Sequence, residues 1–270
     1  MTAQAKRESI LFLTATFLLT AIAWGTLILL NQSPNSGAVA FSLYLLGGLS
    51  PTIIALLLPL RTAKCERKAY YKRYFNFKIP LKWYLLPIAV ALLMTVAAFV
   101  VLRLLFKENS QPLNIQPWYM IFPLFFQMII GGGLEELGWR GILVHQFQNK
   151  SRIFVPLVVG VIWACWHIPL FFIPGVSQYQ TAFLPFLVQV IGLSFATATL
   201  YIRSQSVVPC VIFHALVNAL MGMGSFYGND PTANLIAGII KFVVVMVFSL
   251  AFGAKTVQKG PSTQPQQEVD

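Results

Sequence analysis

The sequence predicts an all-α membrane protein, a bundle of about eight transmembrane helices with both termini in the cytoplasm. Of the 270 residues, 57% are hydrophobic and only 10% are charged, whereas soluble domains carry about 25% charged residues. Apolar stretches of membrane-spanning length recur along the chain, and basic residues concentrate in one connection. These three observations exclude a soluble globular domain.

Eight apolar stretches approach the roughly 20 residues that a helix needs to cross the hydrocarbon core. They cover residues 9–30, 39–60, 83–106, 118–147, 154–173, 182–202, 208–226 and 233–254. The first stretch is too long for the apolar region of a signal peptide and has no small-residue cleavage site, so it is predicted to remain as a helix. Residues 1–255 are therefore predicted to form one membrane-embedded domain, and the polar, glutamine-rich residues 256–270 a disordered cytoplasmic tail.

The connection between the second and third stretches is strongly basic. It holds eight Lys or Arg residues against Glu66 alone, namely Arg61, Lys64, Arg67, Lys68, Lys72, Arg73, Lys78 and Lys82. The positive-inside rule places this connection in the cytoplasm, and eight crossings then place both termini there. Beside two spans, such charge favours membrane lipids as partners and not nucleic acid. The predicted location is the plasma membrane if the source is bacterial.

The stretch 118–147 contains two adjacent carboxylates, Glu135 and Glu136, within GGGLEELGWRGIL. An ionisable side chain inside a membrane span is costly unless it has a partner, so it indicates a functional site. Arg140 lies four residues after Glu136 on the same helix face, where its guanidinium can hold that carboxylate in a bidentate contact. Glu135 is then free to face a cavity. A polar clamp between helices and part of an ion pathway are the alternatives.

Two histidines lie in later stretches, His167 in WACWHIP and His214 with Asn218 one helical turn after it. A single buried histidine usually makes a hydrogen bond between helices. Two histidines, an amide and an unpaired carboxylate on three spans instead predict a shared cavity. At about 1.5 Å per residue, Glu135, His167 and His214 lie roughly 10 to 20 Å from the cytoplasmic ends of their spans. We therefore expect the cavity to face the cytoplasm.

These residue types suit hydrolysis. A glutamate in a low-dielectric pocket can act as a general base near neutral pH, and a histidine can orient the water or share its proton. His214 and Asn218 can donate together to a developing oxyanion. Glu135, His167 and His214 could instead bind a divalent metal such as Zn²⁺, with Asn218 outside the ligand shell. The residues alone leave both chemistries open.

Three short motifs carry a family resemblance. They are Glu135-Glu136-x-x-x-Arg140, Trp163-x-x-x-His167 and His214-x-x-x-Asn218. Together they resemble the signature of the CPBP family, which comprises CAAX-type prenyl endopeptidases and bacteriocin-processing or immunity proteins. The motif core covers residues 133–218, and Trp163 stands where many members carry Phe.

The resemblance implies an α-helical intramembrane protease that cuts a membrane-associated peptide or protein, for example a prenylated CAAX-type substrate. Glu135 and His167 would activate the water, and His214 and Asn218 would stabilise the oxyanion. Glu136 and Arg140 would support the site. Family members are commonly described as metalloproteases, and a metal-free glutamate mechanism is also proposed. We favour the metal-free version, because one amide among the donors suits oxyanion binding.

Two other functions are compatible with a polar cavity inside a bundle. A non-catalytic bacteriocin immunity protein or membrane scaffold would bind a peptide partner there. A proton-coupled transporter would use the buried acids as a relay, but it calls for inverted repeats and broken helices in both halves. The polar residues here are confined to three spans. Oligomeric state and the natural substrate are not encoded in any recognisable pattern.

Overall fold

The computed structural model describes residues 3–106, 114–225 and 230–253. The predicted tail, residues 256–270, lies outside the described residues. The α-helices are Ala3–Leu29 (α1), Ala38–Gly48 (α2), Ser50–Leu57 (α3), Lys64–Tyr74 (α4), Lys82–Leu105 (α5), Ile121–Ile130 (α6), Glu136–Gly138 (α7), His145–Phe147 (α8), Phe154–Trp166 (α9), Phe183–Ser204 (α10), Val208–Gly222 (α11) and Pro231–Gly253 (α12).

Each of the eight apolar stretches is helical, which confirms the all-α fold class. Among the described residues, six helical spans are long and apolar enough to cross a membrane, namely Gln4–Leu29, Lys82–Leu105, Trp118–Phe147, Phe154–Phe172, Phe183–Ser204 and Pro231–Gly253. Helices α2 and α3 meet at a bend of 58° and can form a seventh span. Helix α11, in the predicted seventh stretch, is apolar but only 15 residues long. The chain is an integral membrane protein.

The fourth span is not the continuous helix that its apolar length predicts. Helix α6 ends at Ile130, and the chain continues through Gly131 and Gly132 into a 3₁₀ turn, Gly133–Glu135. After α7 the backbone widens into a π-helix, Trp139–Val144. Irregular backbone at membrane depth is tolerated where neighbouring protein covers it or where it lines a cavity. The span is interrupted where it carries the carboxylates.

Helices α3, α9, α10 and α11 contact this interrupted span. Helix α10 packs against α9 and α12, and α11 packs against α5 and α6. The only strand pairing among the described residues is the two-residue antiparallel pair Asn114–Ile115 (β1) and Gly224–Ser225 (β2), which joins the start of the fourth span to the end of α11. Span four and α11 are thereby held together beside the break.

The core around the break is aromatic. Among the largest fully buried side chains are four tryptophans, Trp24, Trp139, Trp163 and Trp166. Trp166 lies at the centre, with its ring 5.0 Å from that of Trp24 and 5.8 Å from that of Trp139. Its indole N–H donates to Thr20 Oγ1 at 2.7 Å. Large rigid rings fill this part of the bundle, and the indole N–H groups of Trp24, Trp163 and Trp166 each have an acceptor.

We call the end of the bundle that carries residues 61–82 the basic side. Helix α4 lies there, with Tyr70 and Tyr74 buried and with Lys64, Lys68 and Lys72 exposed. This pattern is that of a surface helix fastened to the bundle by one aromatic face. Its position agrees with the prediction that this basic connection lies outside the membrane spans.

Glu8 connects α1 to α4 on the basic side. The sequence places it near the end of a span, yet it is only 8% exposed. It accepts hydrogen bonds from the Tyr70 hydroxyl, from Gln146 at 2.6 Å and from Gln4 at 3.1 Å. Burial, reinforced by Glu8, raises the pKa of Tyr70, so its hydroxyl stays protonated and donates. One carboxylate thus links α1, α4 and α8.

We expect Glu8→Ala to destabilise the protein, because it leaves the buried donors of Tyr70 and Gln146 without an acceptor. The expected loss is about 2 kcal/mol, or roughly 5 °C in the melting temperature of the detergent-solubilised protein. Glu66→Ala is the matched control, since Glu66 is exposed and accepts from the same Gln4 side chain at 3.3 Å. Equal melting temperatures for the two variants would contradict the role of Glu8.

Candidate active site

The two adjacent carboxylates point into different surroundings. Glu136 is fully buried behind the break, whereas Glu135 is 6% exposed and lines a cavity. The 3₁₀ turn ends at Glu135 and α7 begins at Glu136, and successive residues of a helix point about 100° apart. The structure therefore separates the pair as the helical spacing predicts.

Glu136 is balanced by two nitrogen-bearing side chains. Arg140 Nη1 lies 3.2 Å from Oε1 and 3.0 Å from Oε2 of Glu136, and His214 Nδ1 lies 3.0 Å from Oε1. The predicted bidentate fork is wrong in detail, because a single guanidinium nitrogen bridges both oxygens. The π-helix shifts Arg140 relative to an ideal α-helix, and its guanidinium carbon lies 4.5 Å over the ring of Trp163. His214 is the partner that the spacing could not predict.

Trp163 joins Glu135 to His167. Its indole N–H donates to Glu135 Oε2 at 2.8 Å, and its carbonyl oxygen lies 2.8 Å from His167 Nδ1. A carbonyl only accepts, so Nδ1 of His167 carries the proton and Nε2 keeps its lone pair. His167 is therefore oriented as a proton acceptor through Nε2. The imidazole sits at the end of α9, where the 3₁₀ turn Ile168–Phe172 begins.

His214 and Asn218 converge on one point of the broken span. A Cβ atom on Gly132 would lie 2.5 Å from Asn218 Nδ2 and 2.9 Å from His214 Nε2. Only glycine allows both nitrogens to approach the backbone this closely. Because Nδ1 of His214 faces the Glu136 carboxylate, Nδ1 carries a proton, and Nε2 can also donate when both ring nitrogens are protonated. Two N–H donors can thus point at the same place.

All four predicted catalytic residues line one cavity of about 580 Å³, namely Glu135, His167, His214 and Asn218. Glu136 and Arg140 lie behind it and are fully buried. Aromatic and aliphatic side chains form much of the wall, including Trp24, Tyr44 and Phe186. A volume of this size holds a short peptide segment together with water.

The cavity extends away from the basic side. Its lining includes residues 177–182, which connect the fifth and sixth spans, and Pro231 and Asn234 at the start of α12. These residues lie at the opposite ends of the helices from residues 61–82. The expectation that the cavity and the basic connection share one side does not match this arrangement. The compartment that each side faces stays a prediction.

The metal-binding alternative requires Glu135, His167 and His214 to share one ion. Within residues 3–106, 114–225 and 230–253, no group of three or more His, Cys, Asp or Glu side chains is placed to do so. Nδ1 of each histidine is engaged, by the carbonyl of Trp163 and by Glu136, so only Nε2 of each ring is open to an ion. As arranged here, the three side chains do not fit a shared metal ion.

Sequence reasoning missed part of this site. It identified Trp163 only as the aromatic residue of a family motif, although the indole N–H donates to Glu135. It missed Tyr44 and residues 177–182 as cavity lining, because no motif marks them and they come from other parts of the chain. The third histidine, His145, is not among the residues that line the cavity, and its Nδ1 lies 2.7 Å from the Tyr201 hydroxyl. The one sequence signal for the role of Trp163 was its position four residues before His167.

We expect Arg140→Met to lower stability by about 3 kcal/mol, because it leaves the buried Glu136 carboxylate with His214 as its only partner. The melting temperature in detergent measures the effect. The double variant Glu136→Gln with Arg140→Met removes both charges and should melt above the single variant. If Arg140→Met has the same melting temperature as the wild type, the role of this ion pair is refuted.

Two comparisons with known proteins give the chain's relatives. Residues 116–220 match the family model described as type II CAAX prenyl endopeptidase Rce1-like. CAAX prenyl protease 2 from Methanococcus maripaludis is 26% identical over 227 residues, which cover 77% of this chain and 82% of that protein. Both the motif region and most of the chain are thus similar to CAAX proteases, and this similarity supports a peptidase.

Proposed function

We propose that the protein is an intramembrane endopeptidase that uses a glutamate-activated water to cut a membrane-associated protein or peptide. The observation that carries this proposal is that Glu135, His167, His214 and Asn218, from three spans, line one cavity inside the bundle. A carboxylate, an unprotonated imidazole nitrogen and two converging N–H donors are the groups that peptide-bond hydrolysis needs. No serine, threonine or cysteine nucleophile takes part.

In the proposed mechanism, Glu135 accepts a proton from water while His167 orients that water through Nε2. The hydroxide that forms attacks the carbonyl carbon of the scissile bond. Glu135 then returns the proton to the leaving nitrogen as the carbon–nitrogen bond breaks. The hydrogen bond from Trp163 to Oε2 supports this assignment, because it leaves Oε1 of the same carboxylate for the water.

His214 and Asn218 are proposed to bind the oxyanion of the tetrahedral intermediate. Asn218 offers Nδ2–H, and His214 offers Nε2–H in its protonated form. Their convergence beside Gly132 supports the role, since fixed donors aimed at one point need no reorganisation during the reaction. Glu136 and Arg140 are proposed to hold His214 in place from behind.

The proposed substrate is a membrane-associated protein with a CAAX-type terminus, as the names of the matched family and relative suggest. Around the four polar residues, the cavity wall combines aromatic side chains with neutral amides, among them Gln178, Gln180 and Asn234. Among the described lining residues there is no Lys or Arg. Such a wall suits an uncharged peptide segment next to a lipid-bearing residue.

Replacement of Glu135 tests the mechanism. We expect Glu135→Gln to lower the rate of cleavage of a membrane-tethered fluorogenic CAAX peptide about 1,000-fold, because the general base is lost. The amide oxygen still accepts from Trp163, so the melting temperature should stay near that of the wild type. Glu66→Gln, which changes an exposed carboxylate, should retain full activity. Substantial turnover by purified Glu135→Gln would refute the proposal.

Replacement of Gly132 tests the oxyanion site separately. In Gly132→Ala the added methyl group would displace the Asn218 amide and the His214 ring, so we expect kcat to fall about 100-fold. The ends of both side chains can move, so the fold should survive. Gly222→Ala is the control on α11, because its Cβ would meet only Leu124 side-chain atoms at ordinary distances of 3.5 and 3.6 Å. Equal activities would contradict the assigned donors.

A further inference from the structure

We infer that Trp163 is a positioning residue of the reaction, whose indole N–H holds Oε2 of Glu135 so that Oε1 is presented to the water. The inference rests on the proposed function, because it concerns the residue proposed as the general base. It assigns a role to a side chain that the family motif specifies only as aromatic.

The indole is held on several sides. Trp163 is 1% exposed, the guanidinium of Arg140 covers one face at 4.5 Å, and the ring of His214 meets it in a T-shaped contact with 5.1 Å between centroids. A buried ring packed in this way keeps one rotamer. The direction of its N–H bond is therefore fixed before substrate enters the cavity.

The N–H donor and the carbonyl acceptor of Trp163 act on different catalytic groups. The indole N–H contacts Glu135 at 2.8 Å, and the backbone carbonyl accepts the Nδ1 proton of His167 at the same distance. One residue therefore sets the orientation of the proposed base and the tautomer of the proposed water-orienting imidazole. A phenylalanine at this position would keep the carbonyl contact and lose the contact to Glu135.

The chemical consequence follows from what an indole can do. Its N–H only donates and does not titrate, so it favours the ionised carboxylate at every working pH. A carboxylate with one oxygen engaged also has fewer orientations than a free one. The other titratable groups near Glu135 are Glu136, Arg140, His167, His214 and Tyr44. None of these is altered by a change confined to the indole nitrogen.

The test replaces Trp163 with Phe and, separately, with 3-benzothienylalanine, a tryptophan isostere that has sulfur in place of N–H. The isostere keeps the ring size and the contact with Arg140, so it remains informative if the Phe variant fails to fold. The profile of kcat/KM against pH is measured with the membrane-tethered peptide. We expect kcat/KM at neutral pH to fall about 10-fold in both variants and the acid limb of the profile to move up by about one pH unit.

Trp166→Phe is the matched control. Trp166 lies three residues later on the same helix, is equally buried, and loses a comparable hydrogen bond, the one to Thr20 Oγ1 at 2.7 Å. Its N–H does not contact Glu135. We expect this control to lower the melting temperature without moving the acid limb.

The outcomes separate this inference from the proposed function. If Glu135→Gln is inactive but both Trp163 variants keep the wild-type pH profile, the inference is overturned and the mechanism stands. A loss of activity that is uniform across pH would also overturn it, since that indicates structural damage alone. If Glu135→Gln keeps turnover, the proposed function itself fails. A shifted acid limb in the isostere variant supports the inference.

Discussion

The fully buried carboxylate of Glu136 is the constraint on which the rest of the site depends. A charge excluded from both water and lipid must be balanced locally, and here Arg140 and His214 supply the balance from two spans. This requirement draws α11 against the broken fourth span and fixes one nitrogen of the His214 ring. The other nitrogen then faces Gly132, beside Asn218. The charged contacts of Glu136 therefore orient the proposed oxyanion donors.

The broken backbone is the second requirement. A continuous helix of ordinary residues through 130–136 would place a Cβ atom or a regular helical turn where the side chains of His214 and Asn218 approach. The glycines instead allow the span to end, restart as a 3₁₀ turn and continue through a π-helix. Peptide groups left without helical partners are acceptable at this depth because a polar cavity lies beside them. The same feature that weakens the helix makes room for a substrate.

Tryptophan provides much of the rigidity around this opening. Trp139 and Trp166 pack against each other, and Trp163 and Trp166 place their N–H groups on defined acceptors. Large rings fill the volume that the glycines leave, so the cavity has firm walls in a bundle whose outer faces are aliphatic. On α5 and α12, for example, Leu93 and Val247 are exposed, as expected for surfaces that face lipid. Large aromatic side chains thus form part of the wall around the proposed catalytic groups.

Local sequence patterns predict the helical class, the positions of the apolar segments and the six polar residues of the candidate site. Hydropathy and the fourfold spacing of Glu136 and Arg140 are local properties that need no tertiary information. Only the tertiary structure decided that His214 is the second partner of Glu136, that Trp163 donates to Glu135, and that the cavity extends away from the basic side. These features depend on how distant spans rotate and cross, and on where a span breaks. Such choices are made by packing between segments, which no local pattern encodes.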